Sequence, residues 1–166
     1  PSRPPGQPIE QSSGNMYLVV HSHPMLGYGR GANNPWLQEI PDPVTKICWQ
    51  TVAEMNPATA EKMGLANGDH VTIQTAAGTL TLPVLRYPGI QRDTVAIATG
   101  RGHTHSGRYA KSGLNPIEIL PAADDRAGGS AFVSTKAKVS KAGGYDHIVT
   151  TEGSARGPGR GIAQSL

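Results

Sequence analysis

The closely spaced turn signals between Met55 and Gly100 constrain the fold of this chain more than any other feature. Asn56 and Pro57 suit the start of a helix, because an Asn side chain can cap the first N–H groups and proline needs no N–H at the first position. Only about two helical turns separate them from Gly64, which can end a helix in the left-handed conformation. The sequence therefore predicts a short helix in a chain region otherwise rich in turns.

Two stretches after this helix alternate apolar and polar residues with the period of a half-buried strand, at Val71–Thr75 and Thr79–Arg86, and a further stretch follows a Pro-Gly turn at Thr94–Thr99. The turn Asn67-Gly68-Asp69 precedes them and predicts a positive φ at Gly68. We interpret Asp69 as a turn residue that accepts hydrogen bonds from nearby backbone N–H groups, and not as a catalytic acid. This order of helix, sharp turn and strands indicates a compact sheet with tight connections.

The rest of the chain adds weaker strand signals. Short apolar or alternating runs predict strands at Met16–His21, Val44–Met55, Ile117–Leu120 and Ala131–Val139. The segment His21–Pro43 has no such pattern and is predicted to be a long irregular loop, which in a compact domain is usually functional or disordered. The sequence as a whole predicts a mainly β domain with short helices.

Composition restricts the classes of protein. The 21 glycines and 14 prolines suit a sheet protein with many turns, and charged residues make up only 16% of the chain. The net charge is +3, but no Lys/Arg run reads as a nucleic-acid arm and aromatic residues are only 5%, so we predict no nucleic-acid partner. The sequence has no apolar run near the roughly 20 residues that span a bilayer, so no direct membrane insertion is predicted.

Cysteine usage also excludes some sites. Cys48 is the only cysteine, so the chain offers no internal disulfide and no cysteine spacing for an iron–sulfur cluster or a structural zinc. It stands between Ile47 and Trp49, which predicts a buried small apolar residue and not a reactive thiol.

The domain organisation predicted from sequence has three parts. Residues 1–15 are rich in Pro, Gly and Ser and read as a linker, residues 16–140 form the folded domain, and residues 141–166 form a flexible tail with few packing residues. The missing start Met and the linker-like opening lead us to expect a fragment of a longer polypeptide.

Two segments concentrate polar side chains, and we name them the first polar loop (His21–Asn34) and the second polar loop (Arg101–Asn115). Four of the six histidines lie in them, as the pairs His21/His23 and His103/His105. One interpretation is a metal site, since imidazole binds zinc, copper and iron, although no carboxylate adjoins either pair. A second is a cradle for a pterin and a pyrophosphate, which needs neutral donors, cations and closely approaching glycines. A third is packing against other domains.

The ordered set of motifs resembles a known family. The helix, the Gly-Leu-x-x-Gly-Asp turn, the strands, the Gly turn and the Pro-Gly turn resemble the double-psi β-barrel. More narrowly, together with Gly31–Lys46 and Gly100–Pro116, they resemble the C-terminal molybdopterin-dinucleotide-binding domain of complex iron–sulfur molybdoenzyme catalytic subunits. The loops are most similar to the branch in quinone-linked membrane complexes, which includes the iron–sulfur subunit of alternative complex III. The resemblance covers roughly Met16–Leu120.

This resemblance implies a cofactor and a set of residues for it. The cofactor would be molybdopterin guanine dinucleotide with molybdenum or tungsten, bound in the parent protein and absent from the isolated chain. No catalytic residue and no metal ligand is predicted in this chain. The implied cofactor-binding residues are His21, Ser22, His23, Arg30, Gly31, Asn33, His103, Thr104, Arg108, Tyr109 and Asn115.

The resemblance also implies a function and partners. The chain would be the cofactor-binding domain of a molybdopterin oxidoreductase in electron transport, inactive in isolation. Its partners would be the remaining domains of the parent catalytic subunit, with iron–sulfur and membrane subunits, on the periplasmic face of a membrane complex. One alternative is a vestigial, cofactor-free structural domain of a quinol-oxidising respiratory complex. Another is a partner-binding barrel module.

Overall fold

A computed structural model describes residues 14–121 and 135–151, which divide into two compact units. The barrel unit consists of the described parts of Pro1–His21, Val52–Ala98 and Pro116–Asp146. The loop unit consists of the described parts of Ser22–Thr51, Thr99–Asn115 and His147–Leu166.

The barrel unit is a closed sheet of six strands. They are β1 (Met16–His21), β2 (Ala53–Met55), β3 (Asp69–Gln74), β4 (Thr79–Arg86), β5 (Thr94–Ala98) and β6 (Thr135–Tyr145). Their order around the barrel is β1-β5-β2-β4-β3-β6. This closed sheet confirms the mainly β domain that the sequence predicts.

Parallel and antiparallel pairs are interleaved in this barrel. Strand β1 runs parallel to β5, with Leu18 opposite Val95, and β2 runs parallel to β4, while the other pairs are antiparallel. Alternate residues of the strands point inward, so that Leu18, Ile73 and Leu82 are buried in one apolar core. In β3 and the first half of β4 burial follows the predicted period-2 pattern, whereas β2 and β5 have consecutive buried residues.

The short helix α2 spans Pro57–Lys62. The Asn56 side chain accepts a hydrogen bond from the Ala58 N–H at 3.0 Å, and Gly64 has φ +64° just beyond the helix. The predicted cap, proline position and glycine stop are therefore confirmed.

The turn before β3 also has the predicted form. Gly68 has φ +90°, and a Cβ on it would approach the Asp146 carbonyl oxygen to 2.5 Å. The Asp69 carboxylate accepts a hydrogen bond from the Ala66 N–H at 3.0 Å and lies 3.1 Å from Lys141 Nζ. Asp69 is thus a turn residue, as expected.

Two predicted strands are wrong. Of Val44–Met55 only Ala53–Met55 is a strand, because Lys46 and Trp49 take positive φ values of 61° and 59° and interrupt the extended backbone. Of the predicted strand Ile117–Leu120, the first three residues belong to a 3-10 helix over Pro116–Ile119. A segment of four residues is too short to separate strand from helix by periodicity, and a leading proline favours the helical start.

The late strand extends beyond its predicted end at Val139. β6 begins at Thr135, and residues 131–134 lie outside the described part of the chain. It continues to Tyr145, five residues past the boundary predicted at residue 140. The division into linker, domain and tail stays a prediction, since residues 1–13 and 152–166 are also outside the description.

The loop unit is built mainly from turns. Its helix α1 (Pro35–Glu39) lies in the segment predicted to be irregular and is capped by Asn34, whose side chain accepts from the Trp36 N–H at 3.1 Å. Cys48 is buried, as predicted. Within residues 14–121 and 135–151, no helix combines the length and the apolar character needed to cross a membrane.

Candidate functional site: two polar loops

Ten of the eleven predicted cofactor-binding residues lie in the loop unit, and His21 lies in the barrel unit as the last residue of β1. The His21 side chain is partly exposed, and its Nε2 is 4.0 Å from a carboxylate oxygen of the largely buried Glu54. Glu54 was not singled out by the sequence analysis, because a polar residue in a strand gives no local sign of its partner.

Inside the loop unit, the two polar loops are in contact. The Tyr109 N–H donates a hydrogen bond to Asn33 Oδ1 at 3.1 Å. The backbone of Gly107 packs so closely on Asn33 that a Cβ there would overlap the amide, and a Cβ on Gly29 would overlap the His103 ring. Residues far apart in sequence are therefore brought together by glycine backbones.

The second polar loop has its own backbone framework. The Gly102 N–H donates to Ser112 O and the His103 N–H donates to Ala110 O, both at 2.8 Å. Ala110 is fully buried, which fixes the middle of the loop. This framework leaves Thr104 and Arg108 at the exposed tip, with the Arg108 guanidinium 5.6 Å from the centre of the Tyr109 ring.

An open cleft of about 810 Å³ lies in the first polar loop and the start of α1. Three predicted residues, Arg30, Gly31 and Asn33, line it. Its other lining residues are Met25, Leu26, Gly27, Asn34, Pro35 and Leu37. The cleft thus combines apolar walls with one cation and two amide side chains.

His23 is held inside the loop unit and is buried. Its Nδ1 accepts hydrogen bonds from the Met25 and Leu26 N–H groups at 3.1 and 3.3 Å, which places the ring proton of neutral His23 on Nε2. Nε2 lies 4.0 Å from Asp42 Oδ2. His23 therefore shapes the turn beside the cleft.

Asp42 organises the turn that follows α1. Burial raises its pKa, but hydrogen bonds from the Thr45 and Val44 N–H groups and the Thr45 hydroxyl, with the nearby His23, outweigh burial and lower the pKa below its ordinary value. The three bonds to Oδ1 measure 2.7 to 3.0 Å. Asp42 was missed as a structural residue, although an Asp directly before a Pro is a known turn signal.

A second missed feature is the buried pair of Arg101 and Gln38. Arg101 Nε donates to Gln38 Oε1 at 2.8 Å and Nη1 donates to the Gln50 carbonyl at 3.0 Å. Burial lowers the pKa of Arg101 to about 10, so it stays charged at neutral pH. No sequence signal could find this pair, because its members stand 63 positions apart.

Two buried nitrogens of the second polar loop make no hydrogen bond within the described residues, namely Arg101 Nη2 and His103 Nε2. Buried polar atoms normally have partners, so these two mark positions where an added acceptor or donor would be stabilised. Within residues 14–121 and 135–151, no group of three or more His, Cys, Asp or Glu residues could hold a metal ion.

Comparison with known proteins gives the family. Residues 30–137 match the family described as the molydopterin dinucleotide binding domain. The match covers more than half of the chain, and the chain belongs to this family. The domain is therefore a molybdopterin dinucleotide-binding domain, as the sequence motifs implied.

Relatives agree with this assignment. The chain is 33% identical over 132 residues to the arsenate respiratory reductase molybdopterin-containing subunit ArrA of Shewanella sp. strain ANA-3, a match covering 74% of this chain and 16% of that subunit. It is 33% identical over 90 residues to the menaquinone reductase molybdopterin-binding-like subunit of Nitratidesulfovibrio vulgaris, covering 53% of this chain and 13% of that subunit. The chain thus spans about one sixth or less of these relatives.

The fold has a solved counterpart in acetylene hydratase from Pelobacter acetylenicus. The TM-score is 0.55 at 20% identity, over 77% of this chain and 18% of that one. This likeness concerns the fold alone and, with the closed six-stranded topology, confirms the predicted double-psi β-barrel class.

Proposed function

We propose that this domain holds molybdopterin guanine dinucleotide, with molybdenum or tungsten, in a larger oxidoreductase. Family membership supports a molybdopterin cofactor in the parent protein. The guanine form and the identity of the metal are parts of the proposal. The cofactor, when bound, supplies the redox chemistry, and the protein supplies binding, orientation and electrostatics.

The observation that carries the proposal is the contact between the two polar loops inside the loop unit. Asn33 and Tyr109 are joined by a hydrogen bond, and His103 packs on Gly29. The residues we propose for the cofactor therefore include side chains from both loops and not from one alone.

The chemistry of these residues fits a pterin dinucleotide. A pterin edge needs neutral donors and acceptors, which Asn33, His103 and Asn115 can supply. A pyrophosphate needs cations, and Arg30 and Arg108 are exposed guanidinium groups. Gly27 lines the cleft with φ +58°, and a Cβ there would enter open space, so the glycine keeps that wall clear.

We assign the remaining predicted residues to the same ligand. His21, Ser22, His23, Gly31, Thr104 and Tyr109 belong to this proposed set. His23 would act through the turn that it holds, because both its burial and its bonds to Met25 and Leu26 keep it within the protein.

The parent protein is also a proposal. The relatives are named as subunits of a respiratory arsenate reductase and a menaquinone reductase. We infer a catalytic subunit of a respiratory complex, with its other domains, an iron–sulfur subunit and a membrane subunit as partners, on the periplasmic face. The vestigial and the partner-binding alternatives gain no support from the family assignment. We expect the isolated chain to be inactive.

The test is Arg108→Ala in the parent protein. Loss of a charge-assisted hydrogen bond to phosphate should weaken cofactor retention about tenfold or more, while the barrel stays folded. Metal content and the fluorescence of released, oxidised pterin measure retention, and circular dichroism measures the fold. Arg92→Ala is the matched control, since Arg92 is an exposed arginine of the barrel unit.

Two results would count against the proposal in different ways. Wild-type parent protein that contains neither pterin nor metal would support a vestigial domain. Full cofactor content in the Arg108→Ala protein would remove Arg108 from the binding residues and leave the family function intact.

A further inference from the structure

Arg101 differs from the other arginines of the polar loops. Its side chain is 3% exposed, whereas Arg30 and Arg108 are exposed. Two of its nitrogens already donate to fixed protein acceptors, the Gln38 side chain and the Gln50 carbonyl. A guanidinium bonded in this way cannot move to follow a ligand, as an exposed arginine can. It can instead fix the segments to which it donates.

Through Gln38, Arg101 reaches the wall of the cleft. Gln38 is fully buried in α1, and its Nε2 donates to the Ala32 carbonyl at 2.9 Å. Ala32 stands between Gly31 and Asn33, which line the cleft. A continuous chain of hydrogen bonds therefore links the start of the second polar loop to the cleft-lining part of the first.

Arg101 also supports the other end of its own loop. Gly113 has φ +72°, and a Cβ there would lie 3.0 Å from Arg101 Cβ, 3.1 Å from Arg101 Cδ and 2.6 Å from Thr51 Oγ1. The stem of Arg101 thus packs directly under the Gly113 turn. Just beyond it, the Leu114 N–H donates to Thr51 Oγ1 at 3.0 Å.

We propose that Arg101 is the positioning residue of the cofactor site, holding the second polar loop and the cleft wall in one arrangement through Gln38, Gln50 and Gly113. This inference rests on the proposed function. Arg101 acts through its fixed bonds to Gln38 and the Gln50 carbonyl. It fixes the segments that carry Arg30, Asn33 and His103.

This role requires the planar guanidinium group of arginine, with two donors in a fixed geometry, and a positive charge alone is insufficient. Lysine carries the same charge, but its single ammonium on a flexible stem does not reproduce two donors in the fixed geometry that bridges Gln38 and the Gln50 carbonyl. Arg101→Lys and Arg101→Met should therefore behave alike. Arg92→Lys and Arg92→Met in the barrel unit are the matched controls.

The first measurement is amide hydrogen exchange of the parent protein. In both Arg101 variants the amides of Gly102, His103 and Leu114 should exchange about tenfold faster or more, as expected when charge-assisted bonds that hold a local segment are lost. Amides of β3 should keep the wild-type rate. Faster exchange in both units would mean a general stabilising role and would overturn the proposal.

The second measurement is the pterin and metal content of the same preparations. It should fall by about the same factor in both Arg101 variants, and Arg92 variants should match wild type. The positioning role would be overturned if Arg101→Lys kept the wild-type pterin and metal content. It would also be overturned if amide exchange in the second polar loop rose while the pterin and metal content stayed unchanged. A wild-type protein without cofactor would overturn the proposed function and this inference together, even if the exchange effect remained.

If the Arg101 variants do not accumulate as folded protein, Gln38→Glu tests the same chain of hydrogen bonds. A carboxylate keeps the acceptor for Arg101 Nε but cannot donate to the Ala32 carbonyl. We expect Arg101 to stay in place, exchange to rise around Ala32, and cofactor content to fall. Unchanged exchange and content in this variant would contradict the linkage to the cleft wall.

Discussion

In the barrel unit, alternating apolar side chains from six strands fill one core, and backbone ladders set the register. In the loop unit, the buried side chains of Arg101 and Thr51 bond to backbone groups of distant segments, and the exposed Asn33 side chain accepts from the Tyr109 N–H. Apolar burial tolerates imperfect geometry, whereas a buried hydrogen bond is lost when one partner is removed. The barrel unit is thus stabilised mainly by apolar packing, whereas the loop unit depends on a few polar groups.

The two units can be observed separately. Both tryptophans of the chain, Trp36 and Trp49, lie in the loop unit, so tryptophan fluorescence reports on it. The six strands lie in the barrel unit, so the β signal of far-UV circular dichroism reports on the barrel. If tryptophan fluorescence and circular dichroism changed together in every variant below, the two units would not differ in what stabilises them.

The largest effect is expected for Leu82→Ala. Leu82 is 1% exposed in the barrel core, and truncating such a residue costs about 2–5 kcal/mol of unfolding free energy. Denaturation followed by circular dichroism measures the loss. Ile117→Ala, at an exposed position of the same unit, is the control and should lie close to wild type.

Gly68→Ala should come next. The alanine would be strained at φ +90° and its Cβ would press on the Asp146 carbonyl oxygen, so the unfolding free energy should fall by more than about 1 kcal/mol. Gly64→Ala separates strain from overlap, because Gly64 has φ +64° and open space around the Cβ position. Equal losses in the two variants would show that the overlap with Asp146 is relieved at no cost.

Two Thr→Val substitutions, one in each unit, compare what a threonine hydroxyl contributes to stability in the loop unit and in the barrel unit. Thr51 Oγ1 accepts from the Leu114 N–H and donates to the Leu114 carbonyl, both at 3.0 Å, so Thr51→Val should cost about 1–3 kcal/mol, detected by tryptophan fluorescence. Thr72→Val removes the exposed contact of Thr72 with Thr81 in the barrel and should change stability by less than about 0.5 kcal/mol. A reversed order would contradict the dependence of the loop unit on buried polar groups.

The smallest effect is a pH dependence of the loop unit. Because hydrogen bonds lower the pKa of folded Asp42, its ionised form stabilises the fold above its ordinary pKa, and this contribution disappears as pH falls below about 4. Tryptophan fluorescence should then show acid loosening. Asn in place of Asp42 can still accept from Val44 and Thr45 but does not titrate, so Asp42→Asn should flatten the change. If Asp42→Asn showed the wild-type dependence of tryptophan fluorescence on pH, the titration would belong to another group.

The sequence predicted correctly those elements of the barrel unit that depend only on a few neighbouring residues. The cap at Asn56, the stop at Gly64, the turn at Gly68 and the strand Thr79–Arg86 each follow from neighbouring residues. The failures came where an apolar run was read without its context. Trp49 takes a positive φ inside the segment Val44–Met55 that was predicted to be a strand, which no periodicity reveals.

The sequence by itself determined the short helix, most of the barrel strands and the two segments rich in polar side chains, because caps, turns and alternation act over a few residues. Only the tertiary structure decided that Arg101 is buried against Gln38 and Gln50, and that Asn33 meets Tyr109. Those contacts join residues that chain order does not relate. A buried guanidinium is stable only where fixed acceptors replace water, and that condition exists only once the loops have folded together.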